Sequence, residues 1–268
     1  MSQTTTQKRE TFRKLHESGC FVLPNPWDVG SAKMLQHLGF KALASTSAGM
    51  AWALGRADGQ VSLDEVLLHL STLAHATDLP LNADFENGFA DAPADVARNV
   101  GLAVDAGVSG LSVEDYPGAG AAGLYDFSLA VERVAAAREA IGNAGVVLTA
   151  RSEGFIRGAP DMDETIRRLR AYADAGADCL YAPGLRDEAQ MRQVIGAVAP
   201  KPVNILSPGL PVATVAATGA RRISLGGALA RYAYGAAYAA AAEIAKEGVF
   251  VTLGKPAGPP LNPLFATA

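Results

Sequence analysis

Short apolar runs alternate with longer amphipathic stretches along the whole chain. Eight runs of three to five mostly apolar residues are bounded by glycine, proline or polar residues, which predicts strands. They are residues 21–24, 42–44, 81–84, 110–113, 146–150, 179–182, 203–206 and 222–225. The remaining stretches have helical periodicity and predict helices at residues 8–18, 29–37, 62–76, 93–106, 127–141, 161–175, 188–198, 212–218 and 228–246. Such alternation is typical of parallel βαβ units.

A glycine recurs where predicted helices end, a few residues before the next strand. It occurs at Gly39, Gly107, Gly176 and Gly219. Glycine ends a helix in a left-handed conformation, so the repetition indicates one repeated βα unit. We therefore predict a single (β/α)8 TIM barrel over residues 1–268, with an extra helix at the N-terminus. A doubly wound open sheet is the alternative, but no Gly-x-Gly-x-x-Gly motif follows the first strand.

The two ends of the chain depart from this repeat. The predicted last helix, 228–246, carries tyrosines among many alanines and is apolar on more than one face. Such a helix needs burial beyond its own barrel, which predicts a homodimer or homotetramer. The Pro-rich tail, residues 249–268, is predicted to be an extended arm or a disordered end.

Composition narrows the class of protein. The chain has 268 residues, 49% of them apolar, and a net charge of −4, so neither nucleic acid nor a membrane is an expected partner. The start shows no signal-peptide pattern, and no apolar run reaches the ~18 residues of a membrane span. Two cysteines give neither a disulfide framework nor a zinc spacing. A cytoplasmic enzyme is expected.

The candidate chemistry begins at the third predicted strand, which runs into Asp84 and Glu86. Alternation along a strand sends these two carboxylates to the same side. Two acids that face one way repel each other unless a cation lies between them, and Mg²⁺ prefers such oxygen ligands. The alternative is a pair of solvated or helix-capping acids.

In a (β/α)8 barrel, the carboxyl ends of the strands form one mouth. Further polar residues follow the other strands. They are Asn25 and Trp27, then Thr46, Ser47 and Ala48 with Asp58 further along, then Glu114 and Asp115, then Arg151, Ser152 and Glu153, and finally Asn204 or Ser207. Arg151 alone cannot neutralise a mouth with this many carboxylates, so we expect a bound divalent cation, Mg²⁺ or Mn²⁺, as the cofactor. Asp115 is the acid that we interpret as a helix cap instead.

The missing residue types also restrict the chemistry. No lysine stands at the end of a predicted strand, and the four histidines lie in predicted helices. A Schiff-base aldolase, a histidine-ligated zinc enzyme and a Ser-His-Asp hydrolase are therefore disfavoured. The residues that remain suit a 2-oxo acid bound to Mg²⁺, with Arg151 paired to a substrate carboxylate. A phosphosugar barrel with a phosphate at Gly226 and Gly227 is disfavoured by the acidic mouth.

Together these segments resemble the isocitrate lyase/phosphoenolpyruvate mutase superfamily, most clearly at residues 45–48, 84–89, 113–115 and 149–153. The resemblance implies a barrel, a Mg²⁺ site, 2-oxo acid chemistry and a tetramer that exchanges its last helix. It implies the following roles: Asp84 as main metal ligand, Glu86 and Glu114 as supporting ligands, Thr46, Ser47 and Ala48 as the 2-oxo acid loop, Arg151 at the substrate and Asp58 beside the metal. We further expect Trp27 and Asn204 to contact substrate, and Arg151, Asp58 and Glu114 to act in catalysis.

The loop after the fourth strand departs from the family pattern. Methylisocitrate-type lyases carry a Lys-Lys/Arg-Cys-Gly-His segment there, whereas residues 116–125 contain no cysteine, lysine or histidine. The asparagine of the phosphonate-handling members is also missing, and Glu86 stands where they carry aspartate. Only Tyr116 and Tyr125 remain as loop side chains with acid–base chemistry.

We therefore expect a Mg²⁺-dependent lyase or decarboxylase that acts through an enolate. Its substrate is a small 2-oxo acid, oxaloacetate- or 2-oxoglutarate-like, or the 2-hydroxy precursor. Two alternatives stay open: an enzyme of P–C bonds (mutase or hydrolase) and a non-catalytic 2-oxo acid-binding protein.

Overall fold

The chain builds eight parallel strands, each followed by helical structure. The structure, a computed structural model, describes residues 3–118, 120–254 and 258–266. The strands are β1 Phe21–Leu23, β2 Leu43–Ala44, β3 Leu81–Asp84, β4 Gly110–Glu114, β5 Val147–Arg151, β6 Cys179–Tyr181, β7 Val203–Leu206 and β8 Arg222–Ser224. They pair in the order β1-β8-β7-β6-β5-β4-β3-β2. Where β1 and β2 meet, the Ala44 N–H donates to the Pro24 carbonyl at 3.0 Å. The predicted TIM barrel is confirmed.

Helices surround the barrel. They are α1 Thr5–Leu15, α2 Val29–His37, α3 Ser47–Ala53, α4 Leu63–Ala76, α5 Pro93–Asp105, α6 Phe127–Ile141, α7 Met162–Asp174, α8 Glu188–Val198, α9 Val212–Ala216, α10 Ala228–Glu247 and α11 Leu261–Ala266. Their starts follow the local sequence, since Asp28 caps α2 and Ser62 caps α4 through side-chain oxygens. In the part of the chain that the structure describes, no helix is both long and apolar enough to cross a membrane.

The recurring glycines have the conformation that the repeat predicted. Gly39, Gly107, Gly176 and Gly219 have φ of 81°, 96°, 102° and 97°. Side chains other than glycine rarely adopt this left-handed region, so each glycine allows its helix to stop and the chain to turn back into the sheet.

Helix α1 closes the end of the barrel opposite the strands' carboxyl ends. Its Phe12 is fully buried in a cluster with Leu23, Val147 and Cys179. A Cβ atom built on Gly110 would lie only 2.5 Å from the Phe12 ring, so β4 needs glycine at this position. The predicted N-terminal extra helix is therefore present and forms the barrel floor.

Two elements differ from the sequence-based expectation. Helix α3 follows directly after β2, where a loop was expected, because Thr46 caps it by accepting a hydrogen bond from the Gly49 N–H at 3.2 Å. In the tail, the extended or disordered interpretation is wrong for residues 261–266, which form α11. The apolar side chain of Leu264 is buried, and α11 contacts α2. Residues 255–257 and 267–268 of the tail lie outside the described residues.

Candidate active site

A cavity of about 300 Å³ opens at the carboxyl ends of the strands, where a barrel of this kind places its chemistry. Loops and strand ends from around the whole barrel contribute to its wall. Among the described residues, the charged ones that line it are four carboxylates and three arginines: Asp58, Asp84, Glu86, Glu114, Arg151, Arg157 and Arg222.

Asp84 and Glu86 line the cavity together, although the strand ends between them. β3 stops at Asp84, Phe85 is fully buried, and Glu86 has φ of 45°. A left-handed conformation is uncommon for a residue other than glycine and costs energy. The Glu86 carbonyl accepts a hydrogen bond from the Glu114 N–H at 2.9 Å, which fixes this conformation against β4.

Arg151, at the end of β5, joins the acids of three strands. Its Nη1 donates to Asp84 Oδ1 at 2.7 Å, and its Nη2 lies 3.1 Å from Glu114 Oε2. Nε and Nη2 both donate to Glu153 Oε1, at 3.0 and 2.8 Å. The side chain is only 13% exposed. Arg151 therefore reaches the mouth as predicted, but most of its donors are already bound to protein carboxylates.

The negative charge is not evenly compensated. Burial and the nearby carboxylates of Asp84 and Asp58 raise the pKa of Glu86 to about 7. Burial also raises the pKa of Glu114 well above its ordinary value, although Arg151 opposes the shift. Burial lowers the pKa of Arg151, but its carboxylate partners outweigh this and raise it above its usual range. The side of the mouth with Asp84, Glu86 and Asp58 has an excess of negative charge.

The donor set fits Mg²⁺. Asp84, Glu86 and Glu114 offer only oxygen atoms, and no cysteine or histidine lines the described part of the cavity. Among residues 3–118, 120–254 and 258–266, no group of three or more histidine, cysteine, aspartate or glutamate side chains is arranged to hold a metal ion by itself. Mg²⁺ suits an open site, because it keeps several waters and commonly takes one or two protein carboxylates. Asp84 could hold the ion directly, with Glu86 and Glu114 in contact through water.

Thr46, Ser47 and Ala48 also line the cavity, at the start of α3. The Ser47 N–H donates to Asp84 Oδ2 at 3.0 Å, and the Ser45 hydroxyl accepts from the Asp84 N–H at 2.9 Å. The predicted 2-oxo acid loop therefore lies directly beside the predicted metal carboxylate and fixes its orientation.

Other predicted site residues are placed differently. Trp27 is not part of the cavity wall; its Cβ lies against Gly49. Asn204 is on the cavity floor but fully buried, where it accepts a hydrogen bond from Arg222 Nε at 2.9 Å and donates to Ser224 Oγ at 2.9 Å. Asp58 lines the rim on an exposed loop.

Asp115 and Tyr125 have packing roles outside the cavity. Asp115 does not cap a helix; its carboxylate accepts from the Glu153 N–H at 2.8 Å and from the Tyr172 hydroxyl at 2.7 Å. Tyr125 donates to Asp91 and lies under the Arg133 guanidinium. Of the two loop tyrosines, only Tyr116 lines the cavity.

Three charged or aromatic lining residues among those described were missed from the sequence: Tyr181, Arg157 and Arg222. Tyr181 is the last residue of β6. The strand-end rule, that side chains at the carboxyl ends of barrel strands line the mouth, could therefore have found it. Arg157 follows a short 3₁₀ turn, Gly154–Ile156, that carries it back over the mouth, and no local pattern indicates that return. Arg222 begins β8, at the strand end where chemistry is not expected.

The fold and the site together define a class: a (β/α)8-barrel enzyme whose mouth is built from carboxylates and arginines. The model of the family described as phosphoenolpyruvate phosphomutase matches residues 12–245, and the chain belongs to this family. The resemblance to the isocitrate lyase/phosphoenolpyruvate mutase superfamily is thus confirmed, and the protein is an enzyme of that type. Its relatives include a 2-methylisocitrate lyase and an oxaloacetate decarboxylase, which cleave carbon–carbon bonds.

Three relatives illustrate the similarity. A Burkholderia cenocepacia J2315 structure, described only provisionally as a lyase/mutase, is 43% identical with a TM-score of 0.93, covering 98% of this chain and 97% of that one. The structure of an oxaloacetate acetylhydrolase with its product oxalate is 28% identical with a TM-score of 0.88, covering 98% and 94%. An oxaloacetate decarboxylase of Paraburkholderia xenovorans strain LB400 is 29% identical over 218 residues, 78% of this chain and 71% of the relative.

Proposed function

We propose that this protein is a Mg²⁺-dependent carbon–carbon lyase that decarboxylates a small, oxaloacetate-like 2-oxo acid through an enolate. The relatives that act on oxaloacetate support the substrate class. The observation that carries the proposal is the make-up of the cavity wall: within its described part, carboxylates, arginines and hydroxyls line it, with no cysteine, lysine or histidine.

This wall suits decarboxylation better than the cleavage of a 2-hydroxy acid. Cleavage of a 2-hydroxy acid needs a base for the hydroxyl proton and an acid for the carbanion that is released. A carboxylate of the wall could serve as the base, but the family loop whose cysteine provides acid–base chemistry is missing here. In decarboxylation of a 3-carboxy-2-oxo acid, the bond to the leaving carboxylate breaks and CO₂ departs. Its electron pair moves onto the 2-oxo group as an enolate, and a proton from water then completes the product. The reaction needs an electron sink but no protein base.

The chain's own residues would bind and orient the substrate. Bound Mg²⁺, held by Asp84 and through water by Glu86 and Glu114, would supply Lewis-acid stabilisation of the developing oxyanion. The loop at Thr46–Ala48 would receive the 2-oxo end. Arg151 keeps Asp84 and Glu114 in place at the distances given above. Burial raises the pKa of Tyr181 to about 12, so its phenol stays protonated and adds no negative charge to the wall.

A turnover assay tests the proposal. Purified protein with oxaloacetate and other 2-oxo acids should release pyruvate or its homologues with Mg²⁺, and the rate should fall to the enzyme-free background with a chelator. The background must be measured, since oxaloacetate also decarboxylates unaided. Absence of turnover with every 2-oxo acid would overturn the proposal. Turnover of phosphonopyruvate instead would favour P–C chemistry, and tight binding without turnover would favour a 2-oxo acid-binding protein.

We also infer that the protein forms a homodimer or homotetramer through α10. Of the 20 residues in this helix, Ala230 and Ala240 are buried, whereas Tyr232 and Tyr238 are 80% and 77% exposed. Phe250, just after it, is 63% exposed. An exposed apolar surface of this kind favours a second copy of the chain. Light scattering after gel filtration should give an oligomer that Tyr238→Glu weakens, whereas a monomeric wild-type protein would contradict the inference.

A further inference from the structure

Arg157 is an arginine of the cavity mouth that the proposed chemistry leaves without a role. It lines the cavity from the loop after β5, and its side chain is 35% exposed. Its guanidinium stacks on the ring of Tyr116, with 4.0 Å between the guanidinium carbon and the ring centroid. Stacking holds the face of the planar group, and the N–H donors at its edge remain available.

Those donors make only two long ion-pair contacts with the described residues. Nη2 lies 3.7 Å from Glu114 Oε1, and Nε lies 3.3 Å from Glu153 Oε2. Neither contact has hydrogen-bond geometry, and Glu153 Oε2 is a buried atom with no hydrogen-bond partner among these residues. Arg151, in contrast, binds Asp84, Glu114 and Glu153 closely. Arg151 therefore compensates the buried acids, while Arg157 can bind an external anion.

The position of Arg157 suggests which anion this is. The Glu114 carboxylate lies between the two guanidinium groups, with Oε2 at 3.1 Å from Arg151 and Oε1 at 3.7 Å from Arg157. Glu114 therefore separates Arg157 from Arg151, the arginine that binds Asp84, beside which the 2-oxo end would bind. A guanidinium edge matches a carboxylate in bidentate geometry.

We propose that Arg157 binds the distal carboxylate of a dicarboxylic 2-oxo acid and so selects diacids over monoacids of the same length. The inference rests on the proposed function for the location of the 2-oxo end. It adds a specificity-determining residue that lies outside the metal and 2-oxo acid contacts.

The proposed contact has a kinetic signature. In decarboxylation the distal carboxylate leaves as uncharged CO₂, so its pairing with Arg157 stabilises the bound substrate more than the transition state. Removing the guanidinium should therefore raise KM without lowering kcat. A residue that only maintained the shape of the mouth would lower kcat as well.

The experiment compares Arg157→Gln with wild type, using kinetics and calorimetry. Oxaloacetate gives KM and kcat, while malate and 2-hydroxybutyrate, matched in length, differ only in the distal carboxylate; oxalate probes the 2-oxo end alone. We expect KM for oxaloacetate and the Kd of malate to rise about 10- to 100-fold, as for the loss of a charged hydrogen-bonding partner. The Kd values of 2-hydroxybutyrate and oxalate should stay unchanged, and Arg157→Lys should fall in between.

Arg167→Gln is the matched control. Arg167 also stacks on an aromatic ring, with 3.7 Å to the Phe127 centroid, but it is not part of the cavity wall and pairs with Glu164. This variant should behave as wild type.

The outcomes separate this inference from the proposed function. Arg157-dependent preference for malate without turnover of any 2-oxo acid would overturn the function and support the inference. Turnover of oxaloacetate with an equal effect of Arg157→Gln on malate, 2-hydroxybutyrate and oxalate would support the function and overturn the inference. Absence of both binding and turnover in wild type would overturn both.

Discussion

Acidification should destabilise the protein through His16, a buried histidine at the barrel floor. The ring follows α1 and packs edge-on against Phe12 and Phe21. Its Nδ1 donates to the Phe12 carbonyl at 2.8 Å, which leaves Nε2 as an acceptor 3.4 Å from Arg222 Nη1. The neutral ring satisfies both contacts, whereas a protonated ring would direct a second positive charge at Arg222.

The magnitude follows from the shift in pKa. Burial and the nearby guanidinium groups of Arg222 and Arg221 lower the pKa of His16 from 6.5 to about 3. Between these values the unfolded chain binds a proton that the folded protein does not, so stability falls as pH decreases. The contribution is fully present above 6.5. About 2 kcal/mol of it is lost by about pH 5 and at most ~5 kcal/mol by about pH 3, from 1.36 kcal/mol per unit.

Urea denaturation at fixed protein concentration measures this loss. The free energy of unfolding at about pH 7.5 and pH 5 is compared for wild type and His16→Gln, which keeps an acceptor and cannot titrate. Carboxylates contribute equally to both proteins, so the difference in slope isolates His16. His75→Gln, at an exposed histidine of α4, is the control and should retain the wild-type slope. Equal pH dependence in wild type and His16→Gln would refute the reasoning.

Two further substitutions test the site and the barrel. Asp84→Asn should weaken Mg²⁺ binding by at least ~100-fold in calorimetry, because it removes a charged ligand and leaves Arg151 facing an amide. The control Asp64→Asn, at an exposed aspartate, should leave the affinity for Mg²⁺ unchanged. Unchanged affinity in Asp84→Asn would exclude Asp84 as a ligand. Gly110→Ala should lower the free energy of unfolding by about 1–3 kcal/mol in urea denaturation, since the new Cβ would meet Phe12 at 2.5 Å and Asn82 at 2.7 Å. The control Gly101→Ala, where α5 has open space, should be neutral or stabilising. Equal effects of the two substitutions would contradict the close packing at Gly110.

The barrel was predictable because its signals are local and repeated. Strand β3 and helices α2 and α8 have the predicted bounds, since apolar runs, caps and glycine stops act within a few residues. The strand-end rule placed Asp84, Glu114 and Arg151 on one cavity. Helix α3 was missed because seven residues, one of them glycine, give too little periodicity to read. The tail helix depends on a tertiary contact of Leu264, which no local pattern shows.

The departures at the site have a different cause. Glu86 reaches the cavity through a left-handed backbone rather than by simple strand alternation, and its hydrogen bond to β4 maintains that conformation. Arg157 reaches the cavity from a turn, and Arg222 reaches it from the start of a strand. Trp27 satisfied the strand-end rule but packs against Gly49 instead of the cavity. Side-chain direction in such places is set by tertiary packing, which the sequence pattern does not contain.

The two additional arginines of the cavity, Arg157 and Arg222, change the electrostatic argument for a bound cation. From the sequence, Arg151 was the only arginine expected at the mouth, and the excess of carboxylates over arginines predicted a bound metal ion. In the structure, Arg151 forms the close ion pairs with Glu114 and Glu153, whereas Arg157 makes only two longer contacts with the same acids. Arg151 also pairs with Asp84 at 2.7 Å, so among the described residues the mouth acids without an ion pair are Glu86 and Asp58, and the pKa of Glu86 is raised to about 7. The mouth is therefore divided into an acidic half and an arginine half. A molecule with a metal-chelating 2-oxo end and a distal carboxylate matches that division, whereas a 2-oxo monoacid would leave the arginine half unused.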